Sequence, residues 1–214
     1  MRLLLALFPA CGGLSAHAVY VSNDPVSDSA APEGDADTDA DSDSDADGDT
    51  DPDPSGNGLI ISEVCDYADD DNARFIELWN AGTDRSLLGL AVRRYSNGSS
   101  TFAEAAMPDL PVAADGRFVI AYNQTGFVGA FGVDASAYSG VVSGNGNDVY
   151  ELVVIDPPSV VDVYGVVAVD GTGEAWEYTD ADAQRNGGIT SGAATFDVGQ
   201  WTITPGTAAA TPGS

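Results

Sequence analysis

From Leu59 onward the chain is a succession of short apolar, β-branched segments, each closed by Gly, Pro, Asn or Asp. "LIISEVC" (59–65), "RFIELWN" (74–80), "LLGLAVRRY" (87–95), "RFVIAYN" (117–123), "DVYELVVID" (148–156), "VVDVYGVVAV" (160–169) and "GQWTIT" (199–204) read as strands, with "PDLPVAADG" and "SGNGND" as punctuation between them. Asn97-Gly98, inside "SNGSS", is a hairpin signal, because both central residues of a type I′ turn need positive φ. Only "TGFVGAFG" suggests a helical turn. About seven short strands at this spacing predict an all-β, two-sheet sandwich of one domain, assigned to residues 58–205, with 206–214 as a flexible tail.

The first quarter of the chain cannot join that sandwich. An Asp stands at every odd position from Asp35 to Asp53, interleaved with Ala, Ser, Thr, Gly and Pro. Like charges at every second residue repel and extend the chain, and nothing apolar is present to offset the entropy of ordering it. Residues 19–57 are therefore read as a disordered acidic linker. Asp43 to Gly48, "DSDADG", matches the opening of an EF-hand loop, but Pro54 falls where the bidentate Glu belongs and no amphipathic helix flanks it.

Ahead of the linker, Arg2 and the apolar run "LLLALFPA" have the form of an export signal, too short to span a bilayer. Two processing sites compete. "AHA", Ala16 to Ala18, fits signal-peptidase cleavage before Val19, giving a signal over residues 1–18. "LFPACGG" resembles a bacterial lipoprotein box ending at residue 10, with Cys11 as the lipidated first residue of the mature chain. Either reading expects a protein outside the cytoplasm, released or held at the cell surface, and the membrane enters only through that anchor.

Charge excludes several partner classes. The net charge of −27 comes from 34 acidic residues against seven Arg and no Lys, and residues 58–214 alone carry −15. Such a surface repels phosphate backbones and anionic lipid, and Arg93-Arg94, the only basic pair, makes no phosphate-binding patch. The only histidine, His17, lies in or beside the export signal, so Cys/His and Ser/His/Asp nucleophile systems are not expected in the folded part. Cys65, without an intramolecular partner once Cys11 is lipidated or removed, reads as a small buried hydrophobe.

Three groups of residues invite a sharper reading. Glu63 and Glu77 could form an acid/base pair of the glycosidase kind, which requires two carboxylates at a set separation; both lie in strands, and no catalytic role is assigned to them. Asp66, Asp69, Asp70 and Asp71 cluster in one loop and are the candidate calcium ligands, set against a solvated acidic loop. Trp79, Trp176 and Trp201 are expected to pack in the core or at sheet edges rather than to form a sugar platform.

The motifs in order resemble those of the lamin tail domain family. "LIISEV" followed by "FIELWN" is similar to its paired opening strands; "LLGLAVRRYSNGSS", "LPVAADGRFVIAYN", "NGNDVYELV" and "VVDVYGVV" resemble the steps that follow; "QRNGGIT" and "FDVGQWTI" look like its closing Arg- and Trp-containing segments. The resemblance covers about 59–204, and "EAWEYTDADAQRN" departs from it by its acidity. It implies an immunoglobulin-like sandwich and a non-catalytic module for binding, adhesion or localisation, whose partner is an extracellular protein or polymer. A structural spacer without a specific ligand and a calcium-dependent hydrolase are the competing expectations; no cofactor other than calcium is considered.

Overall fold

A computed structural model describes residues 58–206 and 208–214. Residues 1–57, read above as an export signal with Cys11 and an acidic linker with its EF-hand-like stretch, lie outside the described residues. Among the described residues, twelve strands and one α-helix, besides three 3-10 turns, follow in chain order: β1 Leu59–Cys65, β2 Phe75–Asn80, β3 Arg85–Ser86, β4 Leu90–Tyr95, β5 Ala103–Ala106, β6 Pro111–Val112, β7 Arg117–Ala121, α1 Gln124–Phe131, β8 Ala137–Tyr138, β9 Val149–Val154, β10 Ser159–Tyr164, β11 Ala181–Arg185 and β12 Trp201–Pro205. They form a six-stranded sheet in the order β12-β11-β1-β2-β7-β8, a four-stranded sheet β10-β9-β4-β5 and a two-stranded ribbon β3-β6. The chain is thus β-rich with several sheets, and each of the seven expected strands has a counterpart.

The two larger sheets bury a common apolar core. Leu59, Ile61 and Val64 of β1, Ile76 and Leu78 of β2 and Phe118 and Ile120 of β7 meet Leu90 and Val92 of β4 and Leu152 and Val154 of β9. In β1 both Ile61 and Val64 reach this core because the ladder to β2 shifts register between Ile61 and Glu63. One extra residue at Ser62 inverts the alternation, so Glu63 and Cys65 face away from the core. β10 carries a similar shift between Val160 and Asp162.

The two irregularities meet across the core at Asp162. Its carboxylate accepts the Ile61 N–H (2.8 Å) and the Ala193 N–H (3.1 Å) and pairs with the Arg185 guanidinium of β11. Arg185 also donates to the Ile61 carbonyl (3.1 Å) and lies 4.4 Å above the Trp201 ring. Asp162, Arg185 and Trp201 come from three of the sequence motifs quoted above, and together they tie β10 to β1, β11 and β12. Tyr164 sits beside them, edge-on to Trp176, Tyr178, Phe196 and Trp201, with its O–H donating to the Trp176 carbonyl (2.7 Å).

β4 and β5 are joined through the Asn97-Gly98 turn, where φ is 49° and 74° and the Ser99 N–H returns to the Ser96 carbonyl. The expected helical turn is α1, two full turns. The Asn123 side chain caps its Gly126 N–H (3.1 Å), and Gly132, at φ 72°, ends it. Phe127 and Phe131 of α1 both pack edge-on against Phe75, with Cys65, Val119 and Ala121 completing a second apolar cluster on the outer side of the six-stranded sheet. That cover explains why every residue of β1 is buried, on both faces.

Candidate functional site

The outer face of the six-stranded sheet carries the densest set of buried acids. Glu63 and Glu77 are register partners on β1 and β2; Asp182 and Gln184 lie alongside on β11, opposite Cys65 and Glu63. Glu63, Glu77 and Asp182 are 3%, 2% and 0% exposed. They face outward because of the Ser62 bulge and the alternation of β11, whose Ala181 and Ala183 occupy the core.

Each glutamate is engaged. Glu77 accepts from the Ser62 hydroxyl (2.7 Å), the Arg117 guanidinium (3.2 Å) and the Gly213 N–H (2.6 Å). Glu63 accepts the Thr211 N–H (2.9 Å). Gln184 donates to the Ala209 carbonyl (2.6 Å) and the Thr211 hydroxyl (3.2 Å). The segment 208–214, expected as a flexible tail, therefore lies as a strap across this face. Burial pushes the Glu63 carboxyl up to about 9, Asp182 beside it adding to the rise and the Thr211 N–H opposing it. Burial also raises Asp182. Its donors come from its neighbours on the same face, a protonated Glu63 first, then the Cys65 thiol and Gln184. Beside the strap, a shallow cavity of about 230 Å³ opens between Trp79, Arg117 and Gly187-Gly188.

This geometry gives the two glutamates a holding role: their oxygens receive main-chain donors from the strap. That Glu63 and Glu77 lie in strands was legible in the sequence; that they are register partners comes from the structure. The strand placement of Asp182 and Gln184 was not legible, because β11, "ADAQR", has neither β-branched nor aromatic residues.

The four candidate calcium ligands are distributed among other partners. Asp66, 2% exposed, takes the Arg74 guanidinium (2.5 Å) and the Asp180 N–H (3.2 Å). Asp70 caps the 3-10 turn Asp71–Ala73 through the Asn72 N–H (2.9 Å), and Asp71 pairs with Arg74 (3.0 Å). Asp69 is exposed. Among the described residues no group of three or more His, Cys, Asp or Glu side chains is arranged to hold a metal ion.

Trp176 and Trp201 are buried, whereas Trp79 is half-buried on the outer face, donating to Asp115 (2.8 Å) under the Arg117 guanidinium. Arg93 and Arg94 point to different partners, Glu104 (2.7 Å) and Asp148 (3.6 Å). Cys65 is free and buried, and burial with Asp182 nearby pushes its thiol far up.

A second surface stands at one end of the sheets. The loop before β4, the loop before β6 and the turn after β9 are joined by bonds from the Leu87 N–H to the Leu110 carbonyl (3.1 Å) and from the Ile155 N–H to the Gly89 carbonyl (2.9 Å). They present Leu88, Leu110 and Ile155 to solvent, 53%, 45% and 37% exposed. Sequence comparison matches the chain to no protein family and to no curated protein.

Proposed function

We propose that this protein is a non-catalytic binding or localisation module of the lamin-tail, immunoglobulin-like kind, working outside the cytoplasm on a protein or polymer partner. The observation that carries the reading is the apolar end of the sandwich. Leu88, Leu110 and Ile155 are large, solvent-facing and grouped on three backbone-linked loops, on a chain whose charge keeps it soluble without them. Loops held by a rigid scaffold are a frequent place for recognition.

The order of the motifs supports the family part of the proposal. Asp162, Arg185 and Trp201, from the three closing motifs, converge on one cross-sheet clamp. The export signal supports the location, with the acidic linker separating the anchoring or cleavage site from the folded part.

Arrays of envelope polymers, glycans and extracellular proteins, probed with the full chain and with Leu88→Asp/Ile155→Asp, test the reading. A ligand retained by the unaltered chain and lost by the variant is the expected result. Binding that survives the double substitution overturns the loop-end assignment, and no retained ligand on any array leaves the spacer reading in its place. The intact mass of the mature protein from its host identifies the first residue: a diacylated Cys11 makes a tethered module, an N-terminus at Val19 a released one.

A further inference from the structure

The strap over the outer face is gripped mainly through its main chain. Glu63, Glu77 and Gln184 hold the Thr211 N–H, the Gly213 N–H and the Ala209 carbonyl, groups on alternate residues of one segment. The end of that segment is a tight turn. The Ser214 N–H closes on the Thr211 carbonyl (3.2 Å) and Gly213 has φ 83°, as a type II turn with Pro212 at its second position requires. The turn directs the Thr211 and Gly213 N–H groups toward the two glutamates. Upstream, Ala210 packs on the cluster of Cys65, Phe75, Val119, Ala121 and Phe127, where its single methyl group is accommodated.

The receiving surface has the features of a built site. Glu63, Glu77 and Asp182 are buried and Gln184 is half-buried, so three acids stand together on the floor beneath the strap. Keeping three acids out of water is costly unless they serve the surface above them. The requirements on the occupant are specific: a small residue, then a Thr-Pro-Gly turn, with no charged side chain to add to an acidic floor.

We propose that this face is a receptor for a Thr-Pro-Gly turn, occupied in cis by residues 209–214, and that the same segment of a second copy is the partner it fits. The contacts available to that segment in trans are those already made in cis, which makes exchange between copies a low-cost route to association. The cis strap acts as a built-in competitor, present at an effective concentration on the order of millimolar. This site is separate from the apolar loop end, so the failure of either assignment leaves the other standing.

The test uses the full chain carrying Thr211→Pro/Gly213→Pro, which removes both N–H donors and forbids the positive φ at 213. The probe is a fluorescein-labelled peptide of residues 207–214, "TAAATPGS", followed by fluorescence anisotropy. The opened variant is expected to bind the peptide at least about tenfold more tightly than the unaltered chain, because the cis competitor is gone. A peptide with Pro and Gly transposed is expected not to bind. Equal binding by both proteins, or no binding by a variant that keeps its strand circular dichroism, overturns the proposal. Should the variant fail to fold, amide exchange in the unaltered chain decides. Protection of the Thr211 and Gly213 amides upholds the docked strap, and exchange at the free-peptide rate refutes it.

Discussion

At the scale of single residues, two buried ionisable sites dominate, one neutral and one an ion pair. The folded protein keeps Glu63 protonated well above the pH at which the unfolded chain would release that proton, because burial and the neighbouring Asp182 and Glu77 disfavour its charge. Its contribution to stability is therefore full below the ordinary carboxylate range and declines as pH rises toward about 9. Glu63→Gln is expected to flatten the fall in melting temperature between pH 5 and pH 9, read by circular dichroism at fixed ionic strength. Facing groups enter the same titration: Asp182 and Cys65 on the same outer face, Glu77 with its Arg117, and the Thr211 N–H. The Asp162–Arg185 pair behaves differently, since both side chains are buried and the ion pair between them is the one that either makes among the described residues. Arg185→Ala leaves an uncompensated carboxylate under β1 and is expected to cost roughly 3–5 kcal/mol in urea unfolding. Tyr164→Phe, which loses only the O–H to the Trp176 carbonyl, is expected to cost about 1 kcal/mol.

At the scale of elements, α1 shows how close packing and sequence preference separate. A Cβ added at Gly126 would lie 2.4 Å from the Asn72 Cβ, on the 3-10 turn beneath the helix, whereas one added at Gly129 meets nothing within 4 Å. Gly126→Ala is therefore expected to destabilise by about 1–3 kcal/mol through overpacking. Gly129→Ala, in the same helix, is expected to stabilise by roughly 0.5–1 kcal/mol. Chemical denaturation of the pair measures the contrast. The sequence discloses α1 only as a helical turn, because "TGFVGAFG" has three glycines and no polar face. It discloses β1, β2, β4, β7, β9, β10 and β12, where β-branched residues are dense. It hides β5 and β11, "AEAA" and "ADAQR", whose strand form comes from pairing with β4 and with β1 and β12 rather than from propensity. The short β3, β6 and β8 are equally silent, being two residues each. The outer-face site was half legible for this reason: Glu63 and Glu77 stand on visible strands, while Asp182 and Gln184 stand on a hidden one. The strap was read as a tail because Ala, Thr, Pro and Gly carry no burial signal of their own.

At the scale of the molecule, charge is distributed unevenly between interior and surface. Arg74, Arg93, Arg94, Arg117 and Arg185 pair with carboxylates and Arg85 is buried, so cations are drawn inward and the excess acids are left facing water. Self-repulsion of that shell opposes the compact state. Raising sodium chloride from about 0.05 M to about 0.5 M is expected to raise the melting temperature, as the screening length falls from roughly 14 Å to roughly 4 Å. An unchanged or lower melting temperature would place the repulsion below the loss of the partly exposed ion pairs. The position of Cys65 has a practical consequence. Its thiol lies in the outer apolar cluster with Phe127 of α1 and Ala210 of the strap, and it is held protonated there. With Cys11 replaced by Ser, its alkylation becomes a chemical clock, and the rate at which a maleimide consumes it counts the openings of helix and strap against the sheet.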